Sequence, residues 1–327
     1  MILVPARVRL LIAGYPELTA VLAATAIGLT VRPPLAWLAG HQGIGVLLAI
    51  LVFATAVAIE PAALRRLAVT WRSVLAALAA GITVLPALAW AASQVVPAGP
   101  LRDGVMTVGL APCEIASVAT TAMAGGAAAV SAGVLIGSTV TAVACAGPIL
   151  ALEAGHAIRP GHIIAALAVV VALPLAAGIF VRARVPLTAR AEQAAPATAM
   201  LSVAALVALI AAEVRLSARY AAVALALAVF LAGSALTGRI LGTGIGRAAA
   251  VALLLTTSMR DFAIAAGLAA AAFGPAAAAP LGLYGILVLV WGTAAAGVLR
   301  RWPGRDATAG DETPATPNAG PGSRDEP

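Results

Sequence analysis

The chain has 327 residues, 62% of them hydrophobic and 10% charged, with a mean hydropathy of +1.04. Soluble domains carry about 25% charged residues, so this composition excludes a water-soluble fold and leaves an all-α polytopic membrane protein. The net charge of +7 comes from 20 arginines and no lysine, spread one to three per loop, a pattern of membrane topology and not of a nucleic-acid groove.

A spanning helix needs about 20 apolar residues. Read with that ruler, the sequence predicts ten spans. Arg7 and Arg9 precede the first, about Leu10–Val31, read as an uncleaved helix. The next two are Gly43–Ile59 and Val74–Val95. The fourth, Asp103–Ala124, is broken at Ala111-Pro112-Cys113-Glu114. Gly125-Gly126 then turns the chain into the fifth, Ala128–Leu152. The sixth to eighth are Ile163–Val181, Ala197–Ala212 and Tyr220–Leu241. The ninth, Gly246–Ala272, is broken at Thr257-Ser258-Met259-Arg260-Asp261. Phe273-Gly274-Pro275 turns into the tenth, Ala279–Leu299. Residues 304–327 are rich in Pro, Gly, Asp and Thr and read as a disordered cytoplasmic tail.

Arginine bias orients these spans. Arg65, Arg66, Arg72, Arg182, Arg184, Arg190, Arg239, Arg247, Arg300 and Arg301 fall on the side of Arg7 and Arg9. Arg32, Arg102, Arg159, Arg215 and Arg219 fall on the other. The expectation is a multi-pass protein of the cell membrane with both termini cytoplasmic. Each half has five segments with the fourth interrupted, so residues 1–156 and 157–303 read as two repeats of opposite orientation. Paired interrupted segments point to a transporter site.

The breaks hold Glu114, Arg260 and Asp261, the charges nearest the middle of lipid-length segments. A charge at the bilayer centre costs roughly 2.5–3.5 kcal/mol on insertion scales. Unpaired, the three would cost on the order of 8–10 kcal/mol, comparable to a whole domain's stability. The expectation is that Glu114 and Asp261 share Arg260, each carboxylate lying in the first turn of a resumed half-helix. Two carboxylates and one guanidinium leave one negative charge, so one carboxylate is expected to titrate during transport. A static ion pair holding two broken helices together is the structural alternative.

The other polar residues here weigh less. Ser117 and Ser131 are candidate site residues, as are Thr256 and Ser258 beside the second break, with Pro112 and Cys113 forming the first. Pro86, Pro148 and Pro174 are candidate kinks. Trp37, Trp71, Trp90, Trp291 and Trp302 read as an aromatic belt. His41, His156 and His162 fall at segment ends and read as interfacial. Cys113 and Cys145 lie in apolar segments, so neither a disulfide nor a cysteine metal site is expected. No metal and no cofactor is expected, with sodium or a proton left open as coupling ion. The chain has no HExxH or GxSxG, which argues against a membrane enzyme.

Several residues in order resemble the bile acid:sodium symporter family across most of the membrane portion. They are Pro86-Ala87-Leu88-Ala89-Trp90, Ala111-Pro112, Ala116-Ser117, Gly126, Ser131, Ser138-Thr139, and Met259 with the Ala-rich run after Asp261. The resemblance implies ten helices in two inverted five-helix repeats, a panel domain (first, second, sixth and seventh helices) and a core domain with two crossed broken helices. It implies alternating access to a small organic anion, usually driven by sodium, with no oligomer required.

The departures fall on the family's sodium ligands. Its third-helix glutamine corresponds to Gly81, its ninth-helix glutamate to Thr256 and the following glutamine to Arg260. Its fourth-helix asparagine falls at Val118 and a fifth-helix threonine at Leu135, while Ser117 and Ser131 are retained. Sodium-independent transport follows, with the fixed charge of Arg260 in place of a bound cation. The related arsenite exporters offer the second reading, with Cys113 as a soft ligand and Asp261 as its acidic partner.

Overall fold

In lipid a backbone can satisfy its own polar groups only as a helix or a closed barrel, and the regular elements here are helical. The computed structural model describes residues 16–58, 67–154, 160–185, 188–214 and 218–301. Residues 1–15, where the first expected span begins, and the expected tail at 304–327 lie outside the described residues.

The chain opens with α1 (Pro16–Thr30), α2 (Arg32–Gly40) and α3 (Gly43–Ala58). α1 and α2 meet at 99°, and Arg32 fixes the corner by donating to the carbonyls of Ala212 and Val214. Leu67–Ile82 (α4) runs into Val84–Ser93 (α5), with a kink at Thr83. That kink lies three residues before Pro86, where the missing N–H disrupts the ladder. Next come α6 (Pro100–Thr107), a tight turn at Val108–Leu110, α7 (Ala116–Met123) and α8 (Ala128–Ala154). α9 (Pro160–Leu167) and α10 (Leu173–Arg184) are joined through a widened stretch at Ala168–Ala172, just before Pro174. The rest are α11 (Ala189–Glu213), α12 (Arg219–Leu241), α13 (Arg247–Ser258), α14 (Phe262–Phe273) and α15 (Ala279–Arg301).

Six helices among the described residues are long and apolar enough to cross a membrane, or seven if the bent α1–α2 pair counts as one span. The ten expected spans are therefore not ten uninterrupted helices. Both expected breaks are present, and α13 and α14 are each too short to span alone. The seventh expected span, Ala197–Ala212, begins eight residues earlier, at Ala189. Its polar first turns are capped by Thr188, which accepts from Ala191 N, and tied to α10 by Arg182–Glu192 at 2.9 Å.

α11 packs on α1 and α3, and α10 packs on α3. Small residues make these approaches close. A Cβ on Gly178 would stand 2.6 Å from Ala56 Cβ, and one on Gly28 would stand 2.6 Å from Ala211 Cβ. On the other side α12 lies against α13, and α6 against α5 and α14. Gly125 (φ 71°) and Gly274 (φ 90°) turn the chain in conformations that side-chain-bearing residues avoid.

Gly109 sits under the kinked α5, where a Cβ would stand 2.5 Å from Leu85 O and 2.8 Å from Pro86 Cα. Backbone cannot give way as a side chain can. Gly109→Val is expected to cost about 1–3 kcal/mol, seen as a lower thermal midpoint in detergent. Gly40→Ala, which meets nothing within 4 Å, is expected to leave the midpoint unchanged.

Candidate functional site

Breaking a helix at membrane depth frees N–H and C=O groups that water cannot satisfy. The sequence supplies partners for many of these groups at this crossing. Ala111 is extended (ψ 150°), and so are Met259 (ψ 100°) and Asp261 (ψ 103°). The two extended pieces run antiparallel. Glu114 N donates to Met259 O at 2.8 Å, and Asp261 N donates to Pro112 O at 2.9 Å. Cys113 and Arg260 thereby form an isolated antiparallel pair. Cys113 N donates to Ser138 Oγ at 3.1 Å, and the Arg260 guanidinium donates to Ala111 O. Tyr284 Oη donates to Ser258 O at 3.3 Å and accepts from Arg260 N at 3.4 Å.

This pairing decides where the charges point. Residues facing each other across such a pair share one side of the ribbon, and their chain neighbours point to the other. Arg260 therefore lies with Cys113, and Glu114 and Asp261 lie on the opposite side. Arg260, 3% exposed, borders a void of about 10 Å³ with Gly81, Ser138 and Cys145. Asp261, 1% exposed, borders a separate void of about 20 Å³ with Thr55, Leu135 and Thr139. Glu114, 8% exposed, borders the main cavity, about 280 Å³ between α1, α3 and α11 on one side and α7, α14 and α15 on the other.

The pairing turns the Arg260 side chain and the two carboxylates to different faces of the ribbon, and Arg260 and Asp261 still attract each other electrostatically. Asp261 also caps α14, its Oδ1 accepting from Ile264 N at 2.8 Å. It is the cap and not a first-turn residue. Glu114 lies two positions ahead of Ala116, the first residue of α7, and not within its first turn.

Ser258 is at the crossing: its Oγ donates to Leu254 O at 2.7 Å and accepts from Trp291 Nε1 at 2.9 Å. Ser117 Oγ lies 3.9 Å from Cys113 Sγ, on the side of the ribbon away from the main cavity. Ser131 bonds Thr121 Oγ1 at 2.8 Å, joining α8 to α7. Thr256 bonds back to Ala252 O at 2.8 Å within α13. Sequence reasoning missed Tyr284 and misassigned Trp291, which is no belt residue but lies mid-helix against Ser258. Their spacing of seven on α15 puts both on one face, and that was the available signal.

Cys113 is fully buried in a small apolar cluster with Ala77, Val130, Val134 and Leu253. No group of three or more His, Cys, Asp or Glu suited to a metal ion occurs among the described residues. At Gly81 an added Cβ would stand 3.7 Å from Arg260 Nη2. The guanidinium occupies space that a side chain on Gly81 would otherwise share.

A family model described as the Sodium Bile acid symporter family matches residues 45–224, more than half of the chain. The chain belongs to that family. It is a multi-pass membrane transporter, which agrees with the expectation that it is no enzyme. The matched stretch takes in the first break and ends before the second, which is tied to it by the backbone exchange. No curated protein matches the chain.

Two outcomes test this geometry. A Trp291→Phe and Ser258→Ala double-mutant cycle is expected to return a coupling of about 0.6 kcal/mol, typical of a hydrogen bond within a membrane protein. Gly81→Ala, with its Cβ at ordinary contact distance, is expected to fold normally. Gly81→Gln, whose longer side chain competes for the guanidinium's space, is expected to lower the thermal midpoint.

Proposed function

We propose that this protein is a sodium-independent secondary transporter that moves a small organic solute by alternating access. The observation that carries the reading is Arg260 lying against Gly81. By resemblance, Gly81 and Arg260 replace two side chains that hold the coupling sodium. Here one of those positions has lost its side chain and the other has become a fixed cation. A second cation beside a buried guanidinium meets like-charge repulsion in a medium that screens poorly.

The ten-span, inverted-repeat plan is part of the proposal, with residues 1–156 and 157–303 as the two halves and both termini cytoplasmic. The reciprocal exchange between the breaks, Asp261 N to Pro112 O and Glu114 N to Met259 O, supports it, since corresponding segments of opposed repeats meet in that way. The packing of α1, α3, α10 and α11 together fits a panel domain, and the crossed breaks fit a core. The cavity between the two groups is where substrate would be exposed alternately to either side, and a monomer suffices. With Arg260 fixed, the exchangeable charge is a proton on Glu114 or Asp261.

The family resemblance points to an organic anion as substrate. The cavity itself bears a carboxylate, and none of its described lining residues is basic. The metalloid reading is not favoured, because Cys113 faces an apolar cluster on the side of the ribbon away from Asp261.

In proteoliposomes, solute flux is expected to be unchanged when choline replaces sodium and to respond to an imposed pH gradient. Glu114→Gln or Asp261→Asn is expected to abolish that pH response. A steep sodium dependence would overturn the proposal.

A further inference from the structure

The two oxygens of Asp261 are used unequally. Oδ1 accepts from Ile264 N at 2.8 Å and caps α14. Oδ2 is buried and receives no hydrogen bond among the described residues. Asp261 borders a void of about 20 Å³, room for a single water. The two hydroxyl-bearing residues on that void spend their hydrogens elsewhere. Thr55 donates to Leu51 O at 2.8 Å and Thr139 donates to Leu135 O at 2.7 Å. A carboxylate oxygen buried without a donor is costly. A carboxylic acid escapes that cost, because a hydrogen on Oδ2 turns the orphaned acceptor into a donor. The surroundings of Oδ2 therefore suit the acid form.

The void also lies where the two packed groups of helices meet. Thr55 of α3 and Leu175 of α10 line it from one group, and Leu135 and Thr139 of α8 line it from the other. Thr55 and Ile115 line the main cavity as well, so these two side chains stand between the two spaces. A shift of α3 against α8 would part them and bring cavity water to Oδ2.

The ionised form has its own support. Arg260, on the other face of the ribbon, attracts the carboxylate. Glu114, on the same side of the ribbon, and Tyr284 of α15 are the other titratable groups that bear on it. The described residues of α3, α8 and α10 bring no titratable side chain to the void. The acid suits the closed void, and the carboxylate suits a wetted one.

We propose that Asp261 carries the coupling proton, taken from water in the main cavity past Thr55 and Ile115 and held behind them in this conformation. This rests on the reading of the chain as a proton-coupled transporter and assigns its proton to one of the two carboxylates. In the loading step an O–H bond of a cavity hydronium breaks as one forms on Oδ2, leaving water. Release reverses that step into water on the other side of the membrane.

The test is infrared difference spectroscopy of the purified full-length protein in nanodiscs, titrated with acid and base in light and heavy water. A protonated carboxyl in an apolar site gives a carbonyl-stretch band distinct from that of water-exposed acids. The wild type is expected to show such a band and to lose it as pH rises. Asp261→Asn should abolish the band, and asparagine also caps helices, so α14 keeps its start. Glu114→Gln and Glu153→Gln should leave the band in place. Ile115→Ala, which thins the partition, should speed the shift of the band on transfer to heavy water. A titrating buried band that survives Asp261→Asn overturns the assignment and leaves a proton-coupled transporter with its proton elsewhere. Absence of any titrating buried band in the wild type overturns both. An exchange rate unchanged in Ile115→Ala overturns the route from the cavity.

Discussion

The centre of this molecule depends on an exchange of two backbone hydrogen bonds between two broken helices. Neither break is tolerable by itself, because an unsatisfied peptide group in the hydrocarbon region costs several kcal/mol. Placed antiparallel, each supplies what the other lacks. Pro112 and Met259 present carbonyls, and Asp261 and Glu114 present N–H groups at 2.9 and 2.8 Å. Ser138, Tyr284 and the Arg260 guanidinium take up further freed groups. The crossing is a fixed point from which half-helices emerge, and the cavity is built against it.

The same exchange sorts the charges. A strand-like pair has two faces, and three ionisable residues within two short stretches were bound to divide between them. Arg260 went with Cys113 to a small void, and the carboxylates went to the other side. A guanidinium is thus held at the crossing, while a carboxylate is left on the cavity wall. If the mobile sodium of related transporters is replaced by this fixed charge, coupling must run through something that can leave, and a proton on a carboxylate can.

Much of this was legible in the sequence. Hydropathy predicted the membrane class, and Pro112 and the run Ser258-Met259-Arg260-Asp261 marked the breaks within a residue or two. Ordered residues such as Pro86–Trp90 and Ala111-Pro112 marked the family. The meeting of the three charges at one crossing was legible, but not their division between two faces, because that follows from the extended backbone at Met259 and Asp261, which hydropathy does not show. Tyr284 and Trp291 were missed because their role exists only once α15 is laid against α13. The long start of α11 was missed because its first turns are polar and lie outside the hydropathy window.

The central claim is that the Arg260 side chain stands where a coupling cation would otherwise bind. The most direct measurement is a sodium titration of the purified protein, read as a shift in its thermal midpoint with choline as the ionic-strength control. The account predicts no saturable sodium-specific shift in the wild type. A saturable stabilisation by sodium in the wild type, persisting in Arg260→Ala, would contradict it, because the cation would then have a site that Arg260 neither fills nor blocks.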